Sequence, residues 1–340
     1  MDRPNLSPAC ADDIELRLWR WQVDQVFVES STMHPAFHRD YFDRFVVTDY
    51  ARNWDEVRSW LSRWNRNWIY RGQSNAAWRL VPSLERATIR RIDRSHGPLG
   101  PDSFPILLDP RAREQDLLSK FQTALSDHPE KAPKLSQIVD WLALMQHYGT
   151  PTRFLDWSYS GSVAAYFAVE GENKGCGHAI WALDLDWLQS QSPADVNPPG
   201  DQIWIDGHFL SGSNPDVIVF VNPKSQNRRQ TVQQGLFLAN LSHSNFDIAL
   251  LKMMARPSNI AAGPMVRKLV IAPAARTNLL YELGKTGITQ EVLFEKSPFD
   301  GHSESLRTHL KEMVDQMKNK VEDDFRLIGE SSALQRDLAK

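Results

Sequence analysis

Four polar side chains capable of chemistry, Gln146, His147, Arg153 and Asp156, crowd into LALMQHYGTPTRFLDW, a stretch otherwise rich in Leu, Phe and Trp. Imidazole changes charge near neutral pH, so His147 with Asp156 is a candidate general acid–base pair for a hydrolase or nuclease. The structural alternative makes Arg153 and Asp156 a buried ion pair that fixes the turn, with His147 capping backbone. Both readings share one premise: polar groups in so apolar a frame must find partners. Upstream, Tyr70-Arg71-Gly72 closes a run of β-formers, and Gln73 begins the polar turn that follows. A guanidinium at the end of a strand, beside a glycine that admits close approach, suits an anion or phosphate. The competing reading has Arg71 bridge a carboxylate such as Asp156. Downstream, Ser158, Ser160 and Ser162 can each cap the next helix. Glu291 is one carboxylate among apolar neighbours in TQEVLF.

These residues need elements to hold them. Ile138, Leu142 and Met145 recur at helical spacing, with Trp141 and Leu144 widening the apolar stripe, so a helix carries His147. Gly149, as a left-handed cap, and Pro151 end that helix. Val163, Ala164, Phe167 and Ala168 form the face of the next one. Residues 53–64 predict a helix whose Trp54, Val57, Trp60, Leu61 and Trp64 are core. Residues 111–125 predict another, with Leu117, Leu118, Phe121 and Leu125 inward. A short helix at 281–287 and a charged one at 306–325 complete the set. Strands are predicted at 68–70, 178–185, 216–221, 268–272 and 289–294, the last carrying Glu291. Residues 88–112, with Gly97, Gly100, Pro98, Pro101, Pro105 and Pro110, read as a surface insertion. Arg86, Arg90, Arg91 and Arg94 read as a solvated helix face. Strands and helices alternate in no βαβ rhythm. The expected class is α+β, a mixed or antiparallel sheet core with flanking helices. Residues 1–52 are expected to be an accessory segment, 53–311 the main domain, and 312–340 a terminal helix and tail.

Composition narrows the function classes. A net charge of −3 provides no overall basic field for nucleic acid. Cys10 and Cys176 form no CxxC pair, and His34 and His38, four apart, have no acidic partner, so no metal site is expected. No apolar run of about 18 residues suggests a membrane helix, and the N-terminus lacks a signal-peptide core. A cytoplasmic protein is the expectation, and the oligomeric state is open.

The segments YRGQSNAAWRLVPSLER, LMQHYGTPTRFLDWSYSGSVAAYFA, RRQTVQQGLF and GITQEVLF, in that order, resemble the FRG domain. The resemblance runs from about Trp54 to Leu310. That family occurs in bacterial and phage-associated proteins. More distantly, the order of motifs is similar to that of arginine-type ADP-ribosyltransferases. The likeness implies that Arg71, with Gly72, Gln73 and Arg153, binds NAD as a substrate, Arg71 holding its pyrophosphate. Ser158 and Ser160 would orient the ribose. Glu291 would stabilise the oxocarbenium-like state as nicotinamide leaves. Thr289 stands where those transferases carry Glu or Gln. The function implied is NAD-utilising chemistry, with a protein or nucleic-acid acceptor, in bacterial conflict or phage defence. The alternatives are a non-catalytic nucleotide- or protein-binding module and the His147/Asp156 hydrolase or nuclease.

Overall fold

In the computed structural model the described residues are 45–64, 67–91, 105–107, 110–127, 132–171, 177–192, 202–211, 217–224, 228–241, 245–256, 259, 265–294, 308–317 and 319. His34, His38, Cys10 and Cys176 lie outside them. In chain order the elements begin β1 (Val46–Ala51), α1 (Trp54–Leu61), β2 (Trp68–Gln73), α2 (Ser83–Thr88), β3 (Ile89–Arg91) and β4 (Pro105–Leu107). Next come α3 (Pro110–Ala124), α4 (Ile138–His147), β5 (Phe154–Ser158), α5 (Gly161–Val169), β6 (His178–Asp184) and α6 (Leu185–Ser190). The series ends with α7 (Gln202–Ser211), β7 (Ile218–Val221), α8 (Arg228–Val232), β8 (Gly235–Asn240), α9 (Phe246–Met254), β9 (Val266–Ile271), α10 (Arg276–Lys285) and α11 (Gln290–Leu293). Residues 308–317 are helical. The chain forms two compact units, Met1–Leu80 with Leu155–Pro298, and Val81–Phe154 with Phe299–Lys340.

The first unit is built on a seven-stranded sheet, ordered β1-β9-β6-β2-β5-β8-β7. β1 runs parallel to β9, whereas β9 with β6, β6 with β2, β2 with β5 and β7 with β8 are antiparallel. The sheet is mixed and the class is α+β. Side chains alternate between the faces of a strand, and one face presents Trp68, Tyr70, Ile180, Ala182, Leu269 and Ile271 to α5. Val57 and Trp60 of α1, Leu279 and Leu283 of α10, and Leu293 of α11 close the same core. The helix α5 comes very near the sheet. A β-carbon on Gly72 would stand 2.0 Å from the Ala164 carbonyl oxygen and 2.5 Å from the Ala168 nitrogen. Gly72 therefore serves helix–strand packing.

Of the tryptophan stripe, Trp60 is buried while Trp54 and Trp64 pack half-buried against the core, and the rings of Trp60, Trp64 and Trp68 of β2 follow one another at 5.7 Å and 5.0 Å. Three assignments differ from the sequence reading. Val46–Ala51 is the edge strand β1, hidden in the sequence by Thr48 and Asp49 between its apolar residues. Glu291 lies on the helix α11 rather than on a strand. Thr289 caps that helix by accepting the Val292 N–H, and local capping outweighs the β-branched and aromatic content. Within 88–112, β3 pairs with β4 in a two-stranded ladder, so Arg90 and Arg91 belong to a strand, not a helix face.

The second unit packs Leu117 and Phe121 of α3, with Leu125 just past its end, and Ile138, Val139, Trp141, Leu142 and Met145 of α4 as buried core. The rings of Phe121 and Tyr148 lie 6.0 Å apart. Gly149, at φ 83°, ends α4 as the sequence predicts. Its N–H donates to the Gln146 carbonyl, and that of Thr150 to the Met145 carbonyl, the bonding of a glycine-terminated helix.

Candidate functional site

Arg71 follows Tyr70 on β2 and so leaves the sheet on the face opposite α5. It stands beside Trp181 in the β2–β6 ladder. β2 and β5 share one ladder pair, Tyr70 opposite Ser158. Arg71 Nη1 donates to the Asp156 carbonyl at 2.6 Å and lies 3.8 Å from the Asp156 carboxylate. These contacts are those of the sequence reading in which Arg71 bridges Asp156. Gln73 is buried; its oxygen accepts from Trp181 Nε1 at 2.7 Å and its nitrogen donates to the Arg79 carbonyl at 2.9 Å. An amide so engaged is a component of the sheet.

The serines are likewise built in. Ser158 is buried, donating to the Gln233 carbonyl at 2.7 Å while accepting the Ser160 N–H at 2.9 Å. Ser160 caps α5, accepting the Val163 N–H at 3.3 Å. The Tyr159 N–H donates to the Gln234 carbonyl, and Gln234 holds a left-handed φ of 47°. Gln233 Nε2 donates to the Leu293 carbonyl at 3.0 Å. Three sequence segments, DWSYS, RRQTVQQG and GITQEVLF, thus meet through one hydrogen-bond chain.

That chain leads to Glu291. Its carboxylate is exposed on α11 and held below the usual range by its own backbone N–H and the Thr289 hydroxyl. Tyr166 of α5 is pushed above the ordinary phenol value by burial, then by the negative charges of Glu170 and Glu291. Glu170, half-buried at the end of α5, is pushed up by burial and drawn back by Arg229. Arg229, exposed on α8, lays its guanidinium over the Phe294 ring at 4.5 Å. Phe294 meets Phe167 edge to face at 5.8 Å. Two carboxylates, a phenol, a guanidinium and two aromatic rings therefore occupy one side of the first unit. Sequence reasoning singled out Glu291 and missed Tyr166, Glu170 and Phe294. The available signal was their position inside the AAYFAVE and QEVLF segments. Because Leu293 packs in the core on the α5 side, Glu291 and Arg71 belong to opposite faces of the sheet.

His147, Arg153 and Gln146 belong to the second unit, and Asp156 to the first. Arg153 Nε donates to Glu114 Oε2 at 2.6 Å, and its Nη2 also bonds that oxygen. The expected Arg153–Asp156 ion pair is corrected: Glu114 is the partner, and the Asp156 side chain is exposed. His147 is half-buried, its ring edge-on to Tyr148 at 5.2 Å. Among the described residues no group of three or more His, Cys, Asp or Glu could hold a metal ion, and no helix is long and apolar enough to cross a membrane.

Residues 66–176 match the family model of the FRG domain. The chain carries an FRG domain. The match is shorter than the resemblance from Trp54 to Leu310, and it includes β2, β5 and α5 but ends before Arg229, Gln233 and Glu291. No curated protein and no solved structure matches the chain in these comparisons. The FRG signature now has a physical content: Arg71 ties β2 to β5, Gly72 admits α5, and Ser158 and Ser160 fix the entry of α5.

Proposed function

We propose that this FRG-domain protein consumes NAD, as an ADP-ribosyltransferase-like enzyme or a glycohydrolase, with Glu291 as its reactive carboxylate. The setting of Glu291 supports the reading: an ionised carboxylate grouped with Tyr166, Glu170 and the Phe294 and Phe167 rings. Loss of nicotinamide leaves positive charge on the ribose, and a fixed anion beside that carbon lowers the barrier. Aromatic rings suit the departing nicotinamide, which is a flat cation until the bond breaks. Arg71, tied to Asp156 through Nη1, is given no role in this version. A role in bacterial conflict or phage defence, as a toxin or a sensor, belongs to the same proposal, with a protein or nucleic acid as acceptor.

The test is nicotinamide release by the purified protein beside Glu291→Gln. Release in wild type and a fall of about a hundredfold or more in the variant supports the reading. Equal release from both removes Glu291 from the chemistry. A second reading is a nucleotide-binding module without chemistry, favoured by the way Gln73, Ser158 and Ser160 are absorbed into the scaffold. It predicts that NAD raises the melting temperature with no nicotinamide released.

A further inference from the structure

We infer, independently of the NAD reading, that the guanidinium of Arg267, stacked on Trp64, binds a phosphate group, with Arg63 as the second cation. Arg267 stands on β9 beside Val47 of β1 and opposite Ala182 of β6, on the face of the sheet that α5 covers. There its side chain meets the tryptophans of α1 and the turn after it. The guanidinium carbon lies 4.3 Å from the centre of the Trp64 ring, and Trp64 packs half-buried against the core. Stacking on an aromatic face fixes the plane of the guanidinium fork.

What the fork lacks is an acceptor. Among the described residues Arg267 Nε and Trp64 Nε1 are both buried, and neither atom has a hydrogen-bond partner. The Asp49 carboxylate is committed elsewhere, its Oδ2 accepting from Trp60 Nε1 at 2.8 Å. Burial holds the Arg267 guanidinium below its ordinary range; the Asp49 charge opposes that shift and the Arg63 charge adds to it. Arg63 is exposed and directly precedes Trp64 in the chain. A half-buried cation short of acceptors is costly, and two oxygens of one phosphate match the planar fork. A second guanidinium suits the double negative charge of a phosphate better than the single charge of a carboxylate. The Trp64 ring is already engaged by Arg267, by Trp60 edge-on at 5.7 Å and by Trp68 at 5.0 Å. Little of it is left for a base to stack on, so the phosphate group itself is what this site recognises.

Calorimetric titration of the purified full chain at fixed ionic strength tests the site, with inorganic phosphate and glycerol 3-phosphate as the two probes. Wild type is expected to bind phosphate with a single-site isotherm. Arg267→Gln weakens binding by about tenfold or more, the worth of charge-assisted hydrogen bonds. Arg267→Lys keeps the charge without the fork and does not restore it. Arg63→Gln removes an exposed charge outside the core and weakens binding by about threefold. Equal affinity for the two probes marks free phosphate as the ligand, and tighter binding of glycerol 3-phosphate marks a phosphorylated molecule. No binding by wild type, or unchanged affinity in Arg267→Gln, overturns the site. If Arg267→Gln does not fold, unchanged affinity in Arg63→Gln overturns it.

Discussion

Arg71 and Glu291 were the two residues that the transferase likeness joined, and their fates show what a side chain's partners decide. Arg71 is bonded to the Asp156 backbone, so Arg71→Gln is expected to lower the melting temperature while leaving the affinity for NAD, read by calorimetry, within about twofold. A tenfold loss of affinity would return Arg71 to the site. Gly72 has no room for even a methyl group, because the Ala164 carbonyl would lie 2.0 Å from its β-carbon. Gly72→Ala is expected to cost about 3 kcal/mol or more in urea unfolding, at the upper end of overpacking penalties. In the other unit, Glu114→Ala strips the half-hidden Arg153 of its carboxylate. An uncompensated buried charge costs about 3 kcal/mol, and an unchanged midpoint would show that water reaches Arg153.

At the scale of elements, helix ends carry much of the specification. Ser160 begins α5 and Gly149 ends α4, both where their residue types predict. Ser160→Ala is expected to cost about 1 kcal/mol through the lost cap, and Ser160→Asp to preserve stability. Both are read by chemical denaturation, and equal midpoints for Ser160→Ala and wild type would refute the cap's role. The same local chemistry explains the error at Glu291. Thr289 followed by Gln290 and Glu291 is an N-cap with an acidic first turn, a helix start that strand-forming Val292 and Phe294 obscure. Gly287 at φ 80° had already closed α10 and freed Ile288 to turn the chain toward it.

At the scale of the molecule, pH dependence reports groups that folding buries. His178 begins β6 with about 1% of its surface exposed. Burial holds its imidazole below the ordinary value of 6.5, against hydrogen bonds to the Ala168 and Ser74 backbone. The unfolded chain takes up this proton first, so the unfolded state binds more protons below that value. Stability therefore falls as pH drops from 7 through 6.5 toward the depressed folded value. His178→Gln is expected to flatten this slope in thermal unfolding followed by tryptophan fluorescence, and an unaltered slope would place the acid sensitivity elsewhere. Glu170 works in the opposite sense and in a lower window. Its folded value is raised above 4.5, so its contribution is lost as pH rises through that range.

Much of the fold was legible because periodicity and end signals are local. The α4 stripe, the α1 tryptophans, the core strands β6 and β9, and the FRG motifs all declare themselves within short windows. What escaped depends on pairing between distant segments. The edge strand β1 has exposed Val47, Thr48 and Tyr50, and only its parallel pairing with β9 reveals it. The partners of charged residues escaped for the same reason: Arg153 meets Glu114, a residue far from it in sequence, rather than the nearby Asp156. The alternation of side chains along β2 is written in the sequence, but which face α5 would cover is not. Sequence alone therefore determined the strongly periodic elements and the segments that carry the family signature. Tertiary packing decided that Arg71 leaves the sheet away from the face that α5 and α11 cover, because a one-residue step along a strand reverses the direction of its side chain.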